Sequence, residues 1–516
     1  MERSIWKRVT AGLLAAGMIL SFAACSDSKE NPADTGKKVS ELDVVVSSAA
    51  SWPYNEKWKT WEYFREGTGV NLKVHAIPDT DFDTKVSLMM SSKDTLPDMI
   101  YMWVKATEDS YAESGAFVSL SDNLDKMPNM SAFLNSLPEA ERKDLVMQRT
   151  SADGKMYSAP IYGTQTINNL RSWLYRKDIF EKNNVAVPTT YDEMYEAAKK
   201  LKKAYPNSYP ICLRDGLARI DTFASSWAPY MSLNSYYDFT DSTWKFGPIQ
   251  PAMKDLVTYF SKLHAEGLIS PEYLTTNTKS WEELMSTDRG FVTFEYIVRI
   301  DYFNKINRPT YPEYTWASMA PPVPNTPQGA SKLTKTNVSF SGYLVCNTGK
   351  QDNINTALSV LDWMYSDEGK ELLSWGKEGE TYEVKDGKKQ YILPKEDDTP
   401  QLLYGVGTHG ILQFISIEAN EAGYSAEQVE ECHKAVNYTD DNVNPTLWLP
   451  LNKEEDNEAT TLKQDIGTYV EENISKMLVG QLPMSYWDTY VKDVKDAGAD
   501  RLVEIYSQAY DRVMGK

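Results

Sequence analysis

Between positions 42 and 103 the chain changes its hydrophobic period with a regularity that few architectures accommodate. Leu42-Asp-Val-Val-Val-Ser-Ser48 is a short β-branched run that reads as a buried strand. Residues 55–66 then place Trp58, Trp61 and Phe64 among the apolar positions of a helix that stops at Gly67 and Gly69. A strand over 70–77, a helix over 81–92 and a strand over 98–103 follow in the same rhythm. Parallel strands cannot be joined by a tight hairpin; they need a long crossover, which a helix supplies. The alternation therefore predicts an α/β unit with a largely parallel sheet. Ligands of such sheets collect beyond the carboxyl ends of the strands. The loops expected there, 49–55 and 103–109, hold Trp52, Tyr54, Trp103 and Lys105.

The remaining length asks for more than one such unit. A chain of 516 residues exceeds what a single hydrophobic core usually serves, so at least two lobes are expected. Thr190-Tyr-Asp-Glu193 is a capping box, and Tyr191, Met194, Ala198 and Leu201 form one helical face behind it. A second helix starts at Pro251, carries Met253, Leu256, Val257, Phe260 and Leu263, and stops at Gly267. Strands are expected over 170–175, 291–296 and 342–346, and a helix over 354–365. Residues 321–333, with four prolines, read as a loop or crossing. Helices over 458–478 and 487–513 fill the C-terminal end.

The N-terminus speaks about location. Arg3, Lys7 and Arg8 precede an apolar core over 11–22 that closes in Phe22-Ala23-Ala24-Cys25. A positive tip, a short apolar core and small residues make the secretion-signal pattern. The core falls short of the roughly 20 apolar residues of a membrane span. Cys25 directly after Ala23-Ala24 resembles the bacterial lipobox, in which a diacylglyceryl group is attached to the cysteine and the signal is cut before it. Phe22 stands where that pattern usually has Leu. The polar stretch 26–38 cannot bury a core and reads as a flexible tether. One acyl chain binds membranes only marginally, so a two-chain anchor is physically sensible.

Charge and composition narrow the partners. The net charge of −19 argues against nucleic acid, whose binders present a basic stripe. Besides Cys25, the cysteines are Cys212, Cys346 and Cys432, an odd number at wide spacing that implies no disulfide framework. Tyr and Trp are abundant, at 32 and 14. Their apolar faces and polar handles suit stacking on sugar rings, although for any single ring a core position is the default.

Motifs spread over nearly the whole chain resemble the family 1 extracellular solute-binding proteins, the lipoprotein receptors of ABC importers. They most resemble the long subgroup that includes the alginate-binding proteins. The segments that carry the resemblance include Leu96-Pro-Asp-Met-Ile-Tyr101, Ser114-Gly-Ala-Phe-Val-Ser-Leu120 and Asp153-Gly-Lys-Met-Tyr-Ser-Ala-Pro160. Leu174-Tyr-Arg-Lys-Asp-Ile-Phe180, Val187-Pro-Thr-Thr-Tyr-Asp-Glu193, Glu266-Gly-Leu-Ile269 and Trp375-Gly-Lys-Glu-Gly-Glu-Thr-Tyr-Glu-Val-Lys-Asp-Gly387 continue it.

The resemblance implies a two-lobed, type II periplasmic-binding-protein-like α/β fold with discontinuous lobes joined by a hinge and a helical C-terminal extension. The expected division is a signal peptide over 1–24, a tether over 25–40, the first lobe over 41–161 and 318–363, and the second over 162–317 and 364–516. Crossings are expected near 159–169, 318–323 and 363–366. Carried over from the family, Glu295 and Tyr296 would form a platform with Arg299 one turn on. Trp52, Tyr54 and Trp103 would face them, with Tyr162 and Gln165 at the first hinge. Arg214, Asp215 and Trp227 would contribute from the second lobe, and Trp375, Tyr404 and Phe414 from beyond the third crossing.

Several relatives carry an Asp/Asn-rich calcium loop after the helix that here begins at Tyr191. This chain has only Ala204-Tyr-Pro-Asn-Ser-Tyr-Pro210, so no calcium, other metal or cofactor is expected. A neutral oligosaccharide is the expected ligand, unless a local arginine patch overrides the net charge. The expected protein is a monomer at the extracytoplasmic face of the cell membrane. It would be held there by Cys25 and served by two permease subunits and a cytoplasmic ATPase. It would catalyse nothing. The alternatives are a secreted glycoside hydrolase, for which Glu282-Glu283 or Asp221 with Glu295 are the nominees, and a surface carbohydrate-adhesion lipoprotein. The four histidines show no metal spacing, and neither a G-x-S-x-G elbow nor a phosphate loop is present.

Overall fold

Two sheets, each with helices on both faces, organise the chain. In chain order the strands are β1 (Glu41–Ser48), β2 (Asn71–Pro78), β3 (Met99–Val104), β4 (Arg171–Arg176), β5 (Ser235–Asp238), β6 (Thr243–Phe246), β7 (Val292–Tyr296), β8 (Trp316–Met319), β9 (Leu333–Thr334) and β10 (Phe340–Val345); β5 and β6 form a separate hairpin and β9 pairs with Thr439–Asp440, outside the two sheets. The computed structural model describes residues 39–48, 53–151, 153–160, 171–334, 340–395, 398–406, 416–440, 449 and 451–514. All of them belong to one unit, Lys38–Lys516. Residues 1–38 with Cys25, residues 161–169 of the first expected crossing, and Trp52, Tyr162, Gln165 and Phe414 lie outside the described residues.

The first sheet has the order β10-β3-β1-β2. β1 pairs in parallel with β2 and β3, and β10 closes the edge antiparallel to β3. Its central strand is covered on both faces, which is why it reads as a continuous apolar run rather than an alternating one. Val44 and Val46 pack with Phe64, Met99 and Leu361 on one face. Val45 packs with Phe82, Ile100 and Phe117 on the other. The second sheet, β7-β4-β8, is antiparallel throughout. Trp173 faces Tyr191, Phe223 and Phe294, whereas Leu174 faces a cluster with Trp281, Phe303 and Trp316. The C-terminal helices Lys453–Leu478 and Ala499–Met514 extend the core on the Trp173 side, through residues such as Ile466, Ile474, Leu502 and Ile505.

Local chemistry moves several expected boundaries. The first helix runs over Lys59–Thr68, four residues later than the periodicity suggests. Asn55 takes the backbone N–H of Lys57 on its side chain and that of Trp58 on its carbonyl, making a turn instead. Residues 103–109 are not a loop: β3 feeds directly into the helix Lys105–Glu113. The expected helix over 487–513 is two helices, Trp487–Asp496 and Ala499–Met514, broken where Gly498 takes φ +106°. Thr190 caps its helix by accepting from the N–H of Glu193, but the Glu193 carboxylate reaches back to Thr189, one residue before the expected partner. Cys212, Cys346 and Cys432 are free, fully buried thiols, and burial pushes Cys432 up to about 11.

Two contacts tie the helices on the Phe64 side of the first sheet together. Gly69, at φ +70°, ends the helix Lys59–Thr68, so Gly67 has another role. A Cβ on Gly67 would stand 2.2 Å from the Trp363 ring. Gly67→Ala is therefore expected to destabilise the fold by about 1–3 kcal/mol through overpacking; an unchanged melting temperature would rule that contact out as a constraint. The buried Asp362 carboxylate accepts from the Met130 N–H at 2.9 Å and from Asn129 Nδ2 at 2.8 Å. It thereby serves the first turn of Pro128–Ser136, which has no side-chain cap of its own. Asp362→Ala should cost about 1–3 kcal/mol in a denaturant titration and Asp362→Asn less, since Asn keeps one acceptor.

Candidate functional site

At one margin of the second sheet, arginines gather around a buried carboxylate. β7 ends at Glu295 and Tyr296, and β4 begins beside it at Arg171, directly across the ladder from Tyr296. The segment through Ile211 is bridged in parallel to Val292, so three residues on, Arg214 arrives at the same margin. Asp215 takes φ +63°, a left-handed conformation that Asp tolerates, and turns the chain into the helix Gly216–Ala224 that carries Arg219. Carboxyl ends of β7 and of the Ile211 segment, bridged in parallel, thus meet at this margin.

Glu295 is fully buried, and its two oxygens are filled. Oε2 accepts from Arg214 Nε at 2.5 Å and from Arg219 Nη2 at 3.1 Å, and Oε1 accepts from the N–H of Tyr296 at 2.8 Å. Asp215 Oδ2 lies 2.7 Å from Arg219 Nη2 and 2.9 Å from Arg214 Nη1, which also donates to Thr278 Oγ1. Burying a guanidinium is tolerable only with such partners. Arg171 differs. Its guanidinium stands 3.7 Å above the Tyr296 ring, and its Nε has no hydrogen-bond partner among the described residues. Nε and Nη1 of Arg219 are likewise without one. Burial holds the Arg171 guanidinium below the usual arginine value; Tyr296 and Glu295 oppose this, and Arg219 and Arg214 reinforce it.

Of the residues nominated from the sequence, Arg214, Asp215, Glu295 and Tyr296 come together. Arg299 stands nearby, 5.7 Å from the Trp281 ring that also lies 5.2 Å from Arg214, but it is neutralised by Glu282 at 2.8 Å. Trp227 is a correction: it is 3 % exposed and packs against Tyr191 and Tyr259, so it presents no face to a ligand. Trp375 is a second, also 3 % exposed, wedged between Tyr382 and Tyr391. Tyr404 belongs to the first sheet's side, where its OH donates to the Ile392 carbonyl and its own carbonyl accepts from Thr60. Tyr54 is half-buried against Trp58 and Trp61. Trp103 lies on β3, with only its backbone described.

Arg171 and Arg219 were not nominated from the sequence. The signals available were weak: Arg219 lies four residues after Asp215, and Arg171 opens the predicted strand. The carboxylates considered for hydrolysis are each engaged. Glu282 binds Arg299 and Tyr302, Glu295 binds two arginines, and Asp221 accepts from the Leu233 N–H while burial raises its carboxyl above the usual range.

A second buried ionic group sits where β3 enters its helix. Lys105 Nζ lies 3.4 Å from Glu108 Oε1 and donates to Asp109 and Ser151, whose hydroxyl also reaches Asp109. Arg149, 1 % exposed, is held down by burial and supported by the charge of Glu108. These bonds fix the β3 end rigidly and leave Lys105 enclosed in the protein, not offered at its surface. Among the described residues no three His, Cys, Asp or Glu side chains converge as a metal site, and no helix is long and apolar enough to cross a membrane.

Known proteins share this organisation. The chain is 21% identical over 531 residues to Lipoprotein LipO of Bacillus subtilis (strain 168), covering 99% of each chain. It is 20% identical over 528 residues to the polygalacturonan/rhamnogalacturonan-binding protein YtcQ of the same organism, covering 96% of this chain and 97% of the other. Among solved structures, the alginate-binding protein AlgQ2 without calcium ion superposes with a TM-score of 0.72 at 21% identity, over 92% of this chain and 100% of that one. That likeness makes the fold the type II solute-binding fold. The profile of the bacterial extracellular solute-binding proteins matches residues 49–371, and the chain belongs to that family.

Proposed function

We propose that the protein is the substrate-binding lipoprotein of an ABC importer, capturing an oligosaccharide between two lobes and delivering it to a membrane permease. The observation that carries this reading is the set of polar and aromatic groups at the strand ends of the second sheet, where Tyr296 supplies a ring and Arg171 an unpartnered Nε. A few oriented donors beside an aromatic face are what a sugar ring requires. The family supports it, as do the saccharide-binding names of YtcQ and AlgQ2. The proposed first lobe comprises residues 41–161 and 318–363, and the second 162–317 and 364–516. Each would then be built on one of the two sheets, with β8 crossing the 317/318 boundary and with Tyr365, Trp375, Tyr391 and Ala419 packing in the first sheet's core and not in the second's. Closure is driven by the difference in affinity for the sugar between closed and open forms.

Lipidation at Cys25 is part of the proposal, supported by the sequence before it and by the name of the LipO relative. The partners are then two permease subunits and a cytoplasmic ATPase, with the receptor acting as a monomer on the extracytoplasmic face. The net charge of −19 supports a neutral sugar at long range, where it repels anions; at contact distance the arginines govern the choice.

Thermal melting of residues 39–516 with a panel of oligosaccharides tests the binding reading. A ligand at 100 times its Kd should add about 2.7 kcal/mol of stability, and the sugar should be recovered intact; cleaved sugar would replace the receptor with a hydrolase. Tyr296→Ala should weaken that shift while leaving the ligand-free melting within about 1 kcal/mol of the parent; equal affinity would remove Tyr296 from the site. For the anchor, mass spectrometry of the full chain expressed in a Gram-positive host should find a diacylglyceryl group on Cys25. Cys25→Ser should shift the protein from membrane to medium, and an unmodified Cys25 would overturn that part.

A further inference from the structure

The arginine cluster carries an imbalance. Arg171, Arg214 and Arg219 face only Glu295 and Asp215 as counter-charges, and the one without an ion pair among the described residues is Arg171. The neighbouring Arg299 cannot be spare, because Glu282 takes it. A cationic excess of one charge on a chain of net charge −19 is not a general surface property. It is built by the sheet: the register sets Arg171 opposite Tyr296, and the guanidinium carbon stands 3.7 Å from the ring centroid. Arg214 and Arg219 are fixed from behind by a carboxylate that is 0 % exposed. Buried donors without partners are uncommon in folded proteins and call for an occupant. Here they include Nε of Arg171 and Nε and Nη1 of Arg219.

A neutral hydroxyl could use one such donor. It would leave the extra charge desolvated once a cleft closes over it, and that is costly. A carboxylate answers both needs, since it brings one negative charge and two acceptor oxygens that match a planar guanidinium. We infer that Arg171, supported by Arg219 and oriented by Tyr296, is the receptor for a sugar carboxylate, so that the captured oligosaccharide is acidic, of the uronate class. The inference rests on the binding reading proposed above and departs from the neutral sugar expected from net charge. The long-range repulsion of an acidic ligand by the chain is weakened by salt, whereas the contact with Arg171 is partly shielded from it.

The test is calorimetric titration of residues 39–516 with tri-galacturonate and tri-mannuronate, each beside its fully methyl-esterified form, and with maltotriose and kestose as neutral sugars. At least one free acid should bind about 30-fold or more tightly than its ester, the penalty of leaving a buried charge unpaired. Arg171→Gln should abolish that preference by weakening the acid far more than the ester. Arg171→Lys, which keeps the charge without the fork, should restore part of it. Circular dichroism and ligand-free melting of each variant separate this from misfolding. An ester bound as well as its acid, or Arg171→Gln weakening acid and ester alike, would overturn the inference. Binding of the neutral sugars alone would overturn it while leaving the receptor reading intact; no binding by any of the six would overturn both.

Discussion

Glu295 is the group on which the site depends. Two guanidiniums approach its Oε2 and the Tyr296 N–H closes its Oε1, so a single side chain fixes the end of β7, the start of the helix Gly216–Ala224 and the Arg214 segment relative to one another. Removing one member of such a buried set leaves the others charged and unsolvated, which is far more costly than losing a surface pair. A carboxylate in this position therefore acts as a keystone. It is 0 % exposed, and each of its oxygens already accepts from a protein donor. What it does is hold arginines in place that would otherwise drift apart by repulsion, and so it defines what the outermost of them can meet.

Much of the fold was legible in the chain because local rules and tertiary packing agree there. β1 was readable from three consecutive valines, since a strand covered on both faces needs no polar alternation. The start of the helix Pro251–Ala265 was readable to the residue, with proline at its first position, and its end lies two residues short of the expected stop at Gly267. Misplaced boundaries came where a side chain competes with the backbone, as Asn55 does, or where a glycine interrupts an unbroken apolar pattern, as Gly498 does.

The site was legible only in part. Glu295, Tyr296, Arg214 and Asp215 were reached through the family resemblance, which carries a strand-end platform and second-lobe loops over to these positions. Arg171 and Arg219 were not reached, because each matters only through a partner far away in sequence: Arg171 through register with Tyr296, Arg219 through Glu295. Trp227 and Trp375 show the opposite error. An aromatic in an expected loop looks available, but Trp227 is absorbed by Tyr191 and Tyr259, and Trp375 by Tyr382 and Tyr391. An excess of aromatic residues thus stiffens both cores before it serves any surface.

The three buried thiols have a practical consequence. Cys212 and Cys346 sit beside the second and first sheets respectively, and Cys432 lies on the buried face of the helix Ala426–Val436, all sealed from solvent and held in the protonated form by burial. A thiol that is neither exposed nor ionised reacts slowly with alkylating dyes. A chain trimmed to residue 39 onward could then accept two engineered surface cysteines, one beside each sheet, without replacing any of the three buried native cysteines. The distance between paired labels would follow opening and closing directly, in a protein whose own sulfur stays silent.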